Sequence, residues 1–181
     1  MTRFGLALSL WLARPNAEDL GRQCTAKHWT ALLKALNIKG RGGRALNDTW
    51  ADGPRTYLGL AVTGFPNLFT ITGPQSPSVL SNMPVSIEQH VEWITECIDN
   101  LRKTGKTTIE VTPQAQEQWL AHVNEIVNQT LMTGANSWYM SANIAGKPRA
   151  FLPYLGPEGV GGYRKKCDEV AAKGYEGFEL A

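Results

Sequence analysis

The chain of 181 residues is 43% hydrophobic and 19% charged, with 18 Lys and Arg against 16 Asp and Glu. That size suits one compact domain or slightly more, and the mix of six Trp, eighteen Gly and ordinary aliphatics excludes collagen, coiled coil and wholesale disorder. A net charge of +2 is no footprint of a nucleic-acid binder, and no apolar run reaches the length that spans a bilayer.

Residues 1–30 read differently from the rest. Residues 4–13 (FGLALSLWLA), behind Arg3, resemble the opening of a secretory signal. However, Trp11-Leu12-Ala13 is a poor cleavage site and Arg14-Pro15 follows at once. Cys24, Cys97 and Cys167 are odd in number and lack metal-ligand spacing, so they read as reduced thiols of a cytoplasmic protein. Over residues 38–46, two short flanks enclose a tip with Gly40, Gly42 and Gly43, which predicts a β-hairpin because glycine tolerates the positive φ of tight turns. Residues 57–62 and 67–72 are short apolar segments; Leu68, Phe69 and Ile71 favour a buried strand.

Residues 73–84 hold three prolines and Gly73, which suit neither a helix nor a central strand. A helix follows, with Ser86 as cap and Gln89 completing a capping box. Ile87, Val91, Ile94, Ile98 and Leu101 form its apolar stripe, and Gly105 stops it. A brief strand spans residues 107–111. Thr112-Pro113 opens a second helix whose buried face carries Ala115, Trp119, Val123, Ile126 and Thr130. Residues 131–156 are mostly loop, and a loop that long in a compact domain tends to be functional or mobile. A helix over residues 162–173 ends at Gly174, before an aromatic tail with Tyr175 and Phe178. The mixture is α/β.

Self-contained catalysis is hard to find. His28, His90 and His122 lie far apart, and His90 sits in the helical stripe as a partly buried structural histidine. Nucleophile-elbow, zinc and P-loop patterns are absent. Residues 156–162 are glycine-rich but lack G-x-G-x-x-G spacing, which favours a helix-entry turn over a nucleotide cradle. Two segments stand out. Residues 73–78 join a buried strand to a helix entrance, where ligands of open α/β sheets sit; the alternative is a rigid connector. On the long loop, Trp138 in Asn136-Ser-Trp138-Tyr139 either packs the loop down or closes over a flat ring.

Several ordered segments carry a resemblance: Asp52-Gly-Pro-Arg-Thr-Tyr-Leu-Gly59, Phe65-Pro-Asn-Leu-Phe69, Gly73-Pro74, Ser76-Pro77-Ser78 and Ser81-Asn82-Met83. The series continues with Ile87-Glu-Gln-His-Val-Glu-Trp93, Asn136-Ser-Trp138-Tyr139, Ala142-Asn-Ile144, Gly146-Lys-Pro148 and Tyr175-Glu-Gly-Phe178. From about Ala31 to the end the chain resembles the C-terminal portion of Baeyer–Villiger monooxygenases of the phenylacetone and cyclopentadecanone type. N-hydroxylating and flavin-containing monooxygenases resemble the series less. The resemblance implies an incomplete C-terminal part of a flavoprotein with two Rossmann-like dinucleotide-binding domains, built here as residues 31–181 behind an unrelated extension, residues 1–30.

The activity it implies uses FAD and NADP. NADPH reduces the flavin, oxygen adds to give a flavin peroxide, and an oxygen atom enters beside a ketone carbonyl to give an ester or lactone. By position, the resemblance places Gly73 and Pro74 at the flavin edge, with Met83 beside the flavin. Ser78, Val79, Leu80 and Met83 fall on the substrate pocket, and Trp138, Asn143 and Lys147 on a mobile loop over NADP. It implies no catalytic residue and no metal ligand in this chain.

Departures accompany it. Both dinucleotide fingerprints, the linker between them and the arginine that stabilises the peroxide are missing. Ala145 stands where the family has proline, and Thr133-Gly134 where it has Tyr-Pro. The expectation is a fragment, inactive alone, whose partners are the missing N-terminal domains or a full-length relative. The alternative is a non-catalytic remnant.

Overall fold

The computed structural model describes residues 5–7, 37–77, 81–142 and 149–181. It is a mixed α/β arrangement of short strand pairs braced by helices. Strand β1 (Gly5–Ala7) lies parallel to β2 (Leu68–Thr70), with Leu6 opposite Phe69. The hairpin expected over residues 38–46 shrinks to one antiparallel bridge, Lys39 to Ala45, around a 3-10 turn at Arg41–Gly43. Gly42 and Gly43 take φ of 64° and 77°, the conformation that made glycine necessary there. A one-turn helix, α1 (Leu46–Thr49), seats Leu46 in a small cluster with Val62, Phe65 and Leu68.

Residues 57–62 form no regular strand. Leu58 and Gly59, at φ of 57° and 70°, fold them into a tight turn closed by a Tyr57 to Ala61 bridge. Gly59 is obligatory twice over, since an added Cβ would strike the backbone of Ser76 as well as strain φ. Gly59→Ala should therefore cost about 2–4 kcal/mol of unfolding free energy, the sum of overpacking and a left-handed penalty. Urea titration with an unchanged slope and a midpoint shift of that size checks it.

Strand β3 (Ser76–Pro77) pairs parallel with β5 (Pro153–Tyr154) for two residues. Its prolines keep it short rather than abolish it, because two residues at a margin need few ladder donors. Helix α2 (Met83–Lys103) starts three residues before Ser86: Asn82 is the N-cap, and Pro84 sits in the first turn, where its missing N–H is harmless. The expected cap at Ser86 is thus corrected. Among the described residues Ser86 Oγ is buried without a hydrogen-bond partner, and the Gln89 amide faces the Cys167 thiol, too weak a partner to satisfy it.

The buried face of α2 is also rotated from the apolar stripe. His90, Trp93, Ile94, Cys97 and Leu101 point inward, whereas Ile87 and Val91 are 40% and 45% exposed, with Val85 beside them. Trp93 Nε1 donates to Cys167 O at 2.9 Å, a partner that periodicity cannot reveal.

Strand β4 (Ile109–Val111) pairs antiparallel with β6 (Phe178–Leu180), so the aromatic tail is a strand. Asn67, at φ 59°, plugs onto β4 by accepting from Ile109 N–H at 2.9 Å and donating to Thr107 O at 3.0 Å. Helix α3 (Pro113–Asn128) begins as expected, with Thr112 Oγ1 accepting from Ala115 N–H at 3.2 Å. It buries Ala115, Trp119, Val123 and Val127, while Ile126 is half-buried. Helix α4 (Gly159–Ala172) buries Tyr163, Cys167 and Val170 against α2. Trp93, Trp119, Tyr154 and Tyr163 fill the centre of the main core.

Among the described residues, no helix is long and apolar enough to cross a membrane.

Candidate functional site

Beyond β2 the chain makes a corner before it enters β3. Thr72 and Gln75 hold φ of 51° and 61°, left-handed values that a β-branched threonine adopts only under constraint. Gly73 lies between them, buried, and a Cβ there would run into Gly59 O and Thr70 Oγ1. Its identity is therefore demanded by the facing turn. Gly73 O accepts from Ser76 Oγ at 2.7 Å and Ser76 N–H at 3.2 Å.

Gln75 is fully buried and wires the corner to residues 54–56 and to α3. Its Oε1 accepts from Thr56 N–H at 3.1 Å, its Nε2 donates to Pro54 O at 2.8 Å, and its carbonyl accepts from Trp119 Nε1 at 3.2 Å. Thr56 Oγ1 lies 2.7 Å from Pro74 O and 2.8 Å from Gln75 Oε1, with one proton to share between them. Such saturation makes the corner rigid before anything binds. It ends at α2, whose first turn carries no acidic residue and whose Asn82 makes no side-chain cap bond. Among the described residues, the positive dipole end of α2 thus meets neither a side-chain cap nor a first-turn acid, and Met83 there is half-buried.

Of the sequence-selected residues, Gly73 and Pro74 lie in the corner and Met83 is the first residue of α2. Ser78, Val79 and Leu80, assigned to the substrate pocket, lie outside the described residues, as do Asn143 and Lys147. Trp138 sits in a 3-10 turn (Trp138–Met140), 39% exposed and stacked on Tyr139 with ring centroids 4.0 Å apart. Arg149 ties this loop at its base by donating to Thr133 O, Ala135 O and Asn136 Oδ1 at 2.9–3.0 Å. Leu152 joins the two segments: its N–H donates to Tyr139 O at 2.9 Å, and its carbonyl accepts from Gln75 N–H.

An open cleft of about 360 Å³ borders Gln75, between Asp52, Arg55, Asn124, Arg149 and Phe151. Its cations are engaged, Arg55 with Glu117 at 2.7 Å and Arg149 with the loop carbonyls. No activated nucleophile appears among the described groups. Burial pushes the Cys97 and Cys167 thiols up to about 12, and Tyr163 well above its ordinary value. Among the described residues, no group of three or more His, Cys, Asp or Glu could hold a metal ion.

The sequence reading missed His90 as a partner of the corner. It is fully buried, its Nδ1 accepts from Thr72 N–H at 2.9 Å, and its Nε2 lies 2.9 Å from Tyr163 Oη. Its membership of residues 87–93, a segment that carries the family resemblance, was the available signal.

The rigid backbone of the corner is compatible with the edge of a planar redox ring. Among the described residues, none forms a cradle for a dinucleotide's phosphates. The glycine-rich residues before α4 form a helix-entry turn with Glu158 at the N-cap, and a Cβ on Gly156 would meet the Tyr154 ring.

No family model matches the chain. It is 46% identical over 153 residues to an acetone monooxygenase (methyl acetate-forming) of Gordonia sp. (strain TY-5), covering 84% of this chain and 28% of the relative. A phenazine N-monooxygenase of Lysobacter antibioticus is 45% identical over 145 residues, covering 80% of this chain and 26% of the relative. The crystal structure of cyclohexanone monooxygenase from Rhodococcus sp. Phi1 bound to NADP+ superposes with a TM-score of 0.78 at 40% identity, over 83% of this chain and 28% of that one. Another matched structure is a complex with FAD and NADP. The chain spans little more than a quarter of the length of these relatives. In sequence and in fold it is homologous to a C-terminal stretch of the Baeyer–Villiger monooxygenases.

Proposed function

We propose that this chain forms one wall of the flavin and substrate site of an FAD- and NADPH-dependent monooxygenase that inserts oxygen beside a ketone carbonyl. The observation that carries the reading is the joint similarity, 46% in sequence to the acetone monooxygenase and a TM-score of 0.78 to the NADP+-bound structure, across the segment that builds the corner. FAD, when bound, supplies the redox chemistry. Gly73 and Pro74 hold the ring edge by rigid backbone, and Met83 at the start of α2 presents an apolar side chain and the positive end of the helix dipole to it. Ser78, Val79 and Leu80, with Met83, line the ketone pocket, while Trp138, Asn143 and Lys147 cover NADP. Molecular oxygen is the co-substrate, and the assembled enzyme is cytoplasmic.

On this reading the isolated chain is catalytically silent, because the dinucleotide phosphates find no cradle in it. Its partner is the missing N-terminal part, encoded upstream or supplied by a relative. A second reading, a non-catalytic chain that associates with a full-length relative, is favoured by Val85, Ile87 and Val91, an apolar face left open on α2.

The test purifies the full chain with excess FAD and NADPH, alone and mixed with the N-terminal three-quarters of the Gordonia enzyme. The expected result is no flavin retention alone, but retained flavin and acetone-dependent NADPH consumption in the mixture. Association without flavin turnover supports the second reading. Turnover by the chain alone, or no association in any mixture, overturns the first.

A further inference from the structure

The geometry points to His90 as the positioning residue of the corner: a neutral imidazole that holds Thr72 in its left-handed conformation and so aims Gly73 and Pro74. The functional half of this assignment rests on the reading above, in which the corner faces the flavin.

The hydrogen-bond chain fixes the protons. Thr72 N–H can only donate, so Nδ1 of His90 carries a lone pair. Tyr163 has one hydroxyl proton, and it goes to Leu58 O at 2.5 Å. The proton between the two rings therefore belongs to Nε2, which donates to Tyr163 Oη across 2.9 Å. All three donors point the same way, from Thr72 through His90 and Tyr163 to Leu58, and each bond polarises the next.

Both ends of this chain are residues at positive φ without being glycine, Thr72 at 51° and Leu58 at 57°. Left-handed backbone at such side chains persists only where surroundings hold it. Here α2 contributes His90, α4 contributes Tyr163, and together they clamp the turn carrying Gly59 against the corner carrying Gly73. Burial keeps the imidazole neutral and so able to accept from Thr72. A purely space-filling role would need neither ring nitrogen.

Nuclear magnetic resonance of the 15N-labelled full chain tests this. The His90 ring should show the Nε2-protonated neutral form at neutral pH. In His90→Phe, Thr72 amide exchange should speed up about tenfold, the equivalent of one lost hydrogen bond. The φ-dependent coupling of Thr72 should change while α3 amides stay protected. His90→Gln, which offers an acceptor and a donor, should restore most of the protection. If His90→Phe does not fold, Tyr163→Phe is read instead and should likewise loosen Thr72.

An Nδ1-protonated ring, or unchanged Thr72 exchange and coupling in a folded variant, overturns the assignment. In the reconstituted mixture, half-saturation by FAD should rise about tenfold for His90→Phe and stay within about twofold for His90→Gln. Unaltered FAD affinity in His90→Phe overturns the functional half alone. Failure of the unmutated mixture to retain flavin counts against the proposed function and leaves the resonance result standing.

Discussion

Truncating Trp119 to alanine should remove about 3–5 kcal/mol of unfolding free energy, a large share of what a domain of this size possesses. The indole is 3% exposed on α3, stacked on Tyr154 at 5.1 Å and edge-on to Tyr57 at 6.5 Å. Its Nε1–H is the donor that satisfies Gln75 O. The substitution therefore opens a cavity where α3 meets β5 and leaves a buried carbonyl of the corner without its partner. Trp119→Phe separates the two effects: it keeps an aromatic body and forfeits the N–H, for an expected cost of about 1–3 kcal/mol. Urea unfolding followed by circular dichroism measures both. A Trp119→Ala loss below about 1 kcal/mol would mean that the core repacks around the hole and that Trp119 is no keystone.

Acid should destabilise the chain through one buried group, His90. Burial lowers His90 from 6.5 to about 4 in the folded state. Between those values the unfolded chain binds a proton that the folded chain refuses. Stability is therefore fully present above about pH 6.5 and declines as pH falls toward 4. The integrated loss is about 3 kcal/mol, from the size of the shift. Of the titratable neighbours, Tyr163 and Cys167 are raised by burial and remain neutral throughout that window. Exposed pairs such as Arg164–Glu92 and Arg55–Glu117 contribute little in water. Urea midpoints at a series of pH values for the parent and His90→Gln should diverge in slope over this interval. Parallel curves would show that His90 titrates normally.

Local chemistry was legible where the sequence states it locally. Thr112-Pro113 announces α3 because a hydroxyl cap and a first-turn proline act within one turn, and Gly42 and Gly43 announce positive φ. The orientation of α2 was not legible. Apolar spacing selects Ile87 and Val91, yet the interior receives Ser86, Gln89 and His90, and for His90 the reason is a pair of partners, Tyr163 of α4 and Thr72 of the corner, that periodicity cannot reveal. Likewise Gln75 looks like a solvated loop residue until Pro54, Thr56 and Trp119 converge on it from up to 44 positions away. The tail strand β6 was hidden because its pairing with β4 spans the whole of α3 and α4. At the candidate site, the ordered motifs carried the family resemblance and hold Pro54, Thr56 and His90, while Thr72, Gln75, Trp119 and Tyr163, which complete the wiring of the corner, lie outside them.

Leu152 has a mechanical consequence. One residue receives the corner through its carbonyl and holds the Trp138 loop through its amide, so the two behave as arms of a single lever with Leu152 as fulcrum. With the base of the loop tethered by Arg149, load applied at the indole has a short, stiff route into the backbone at Gln75.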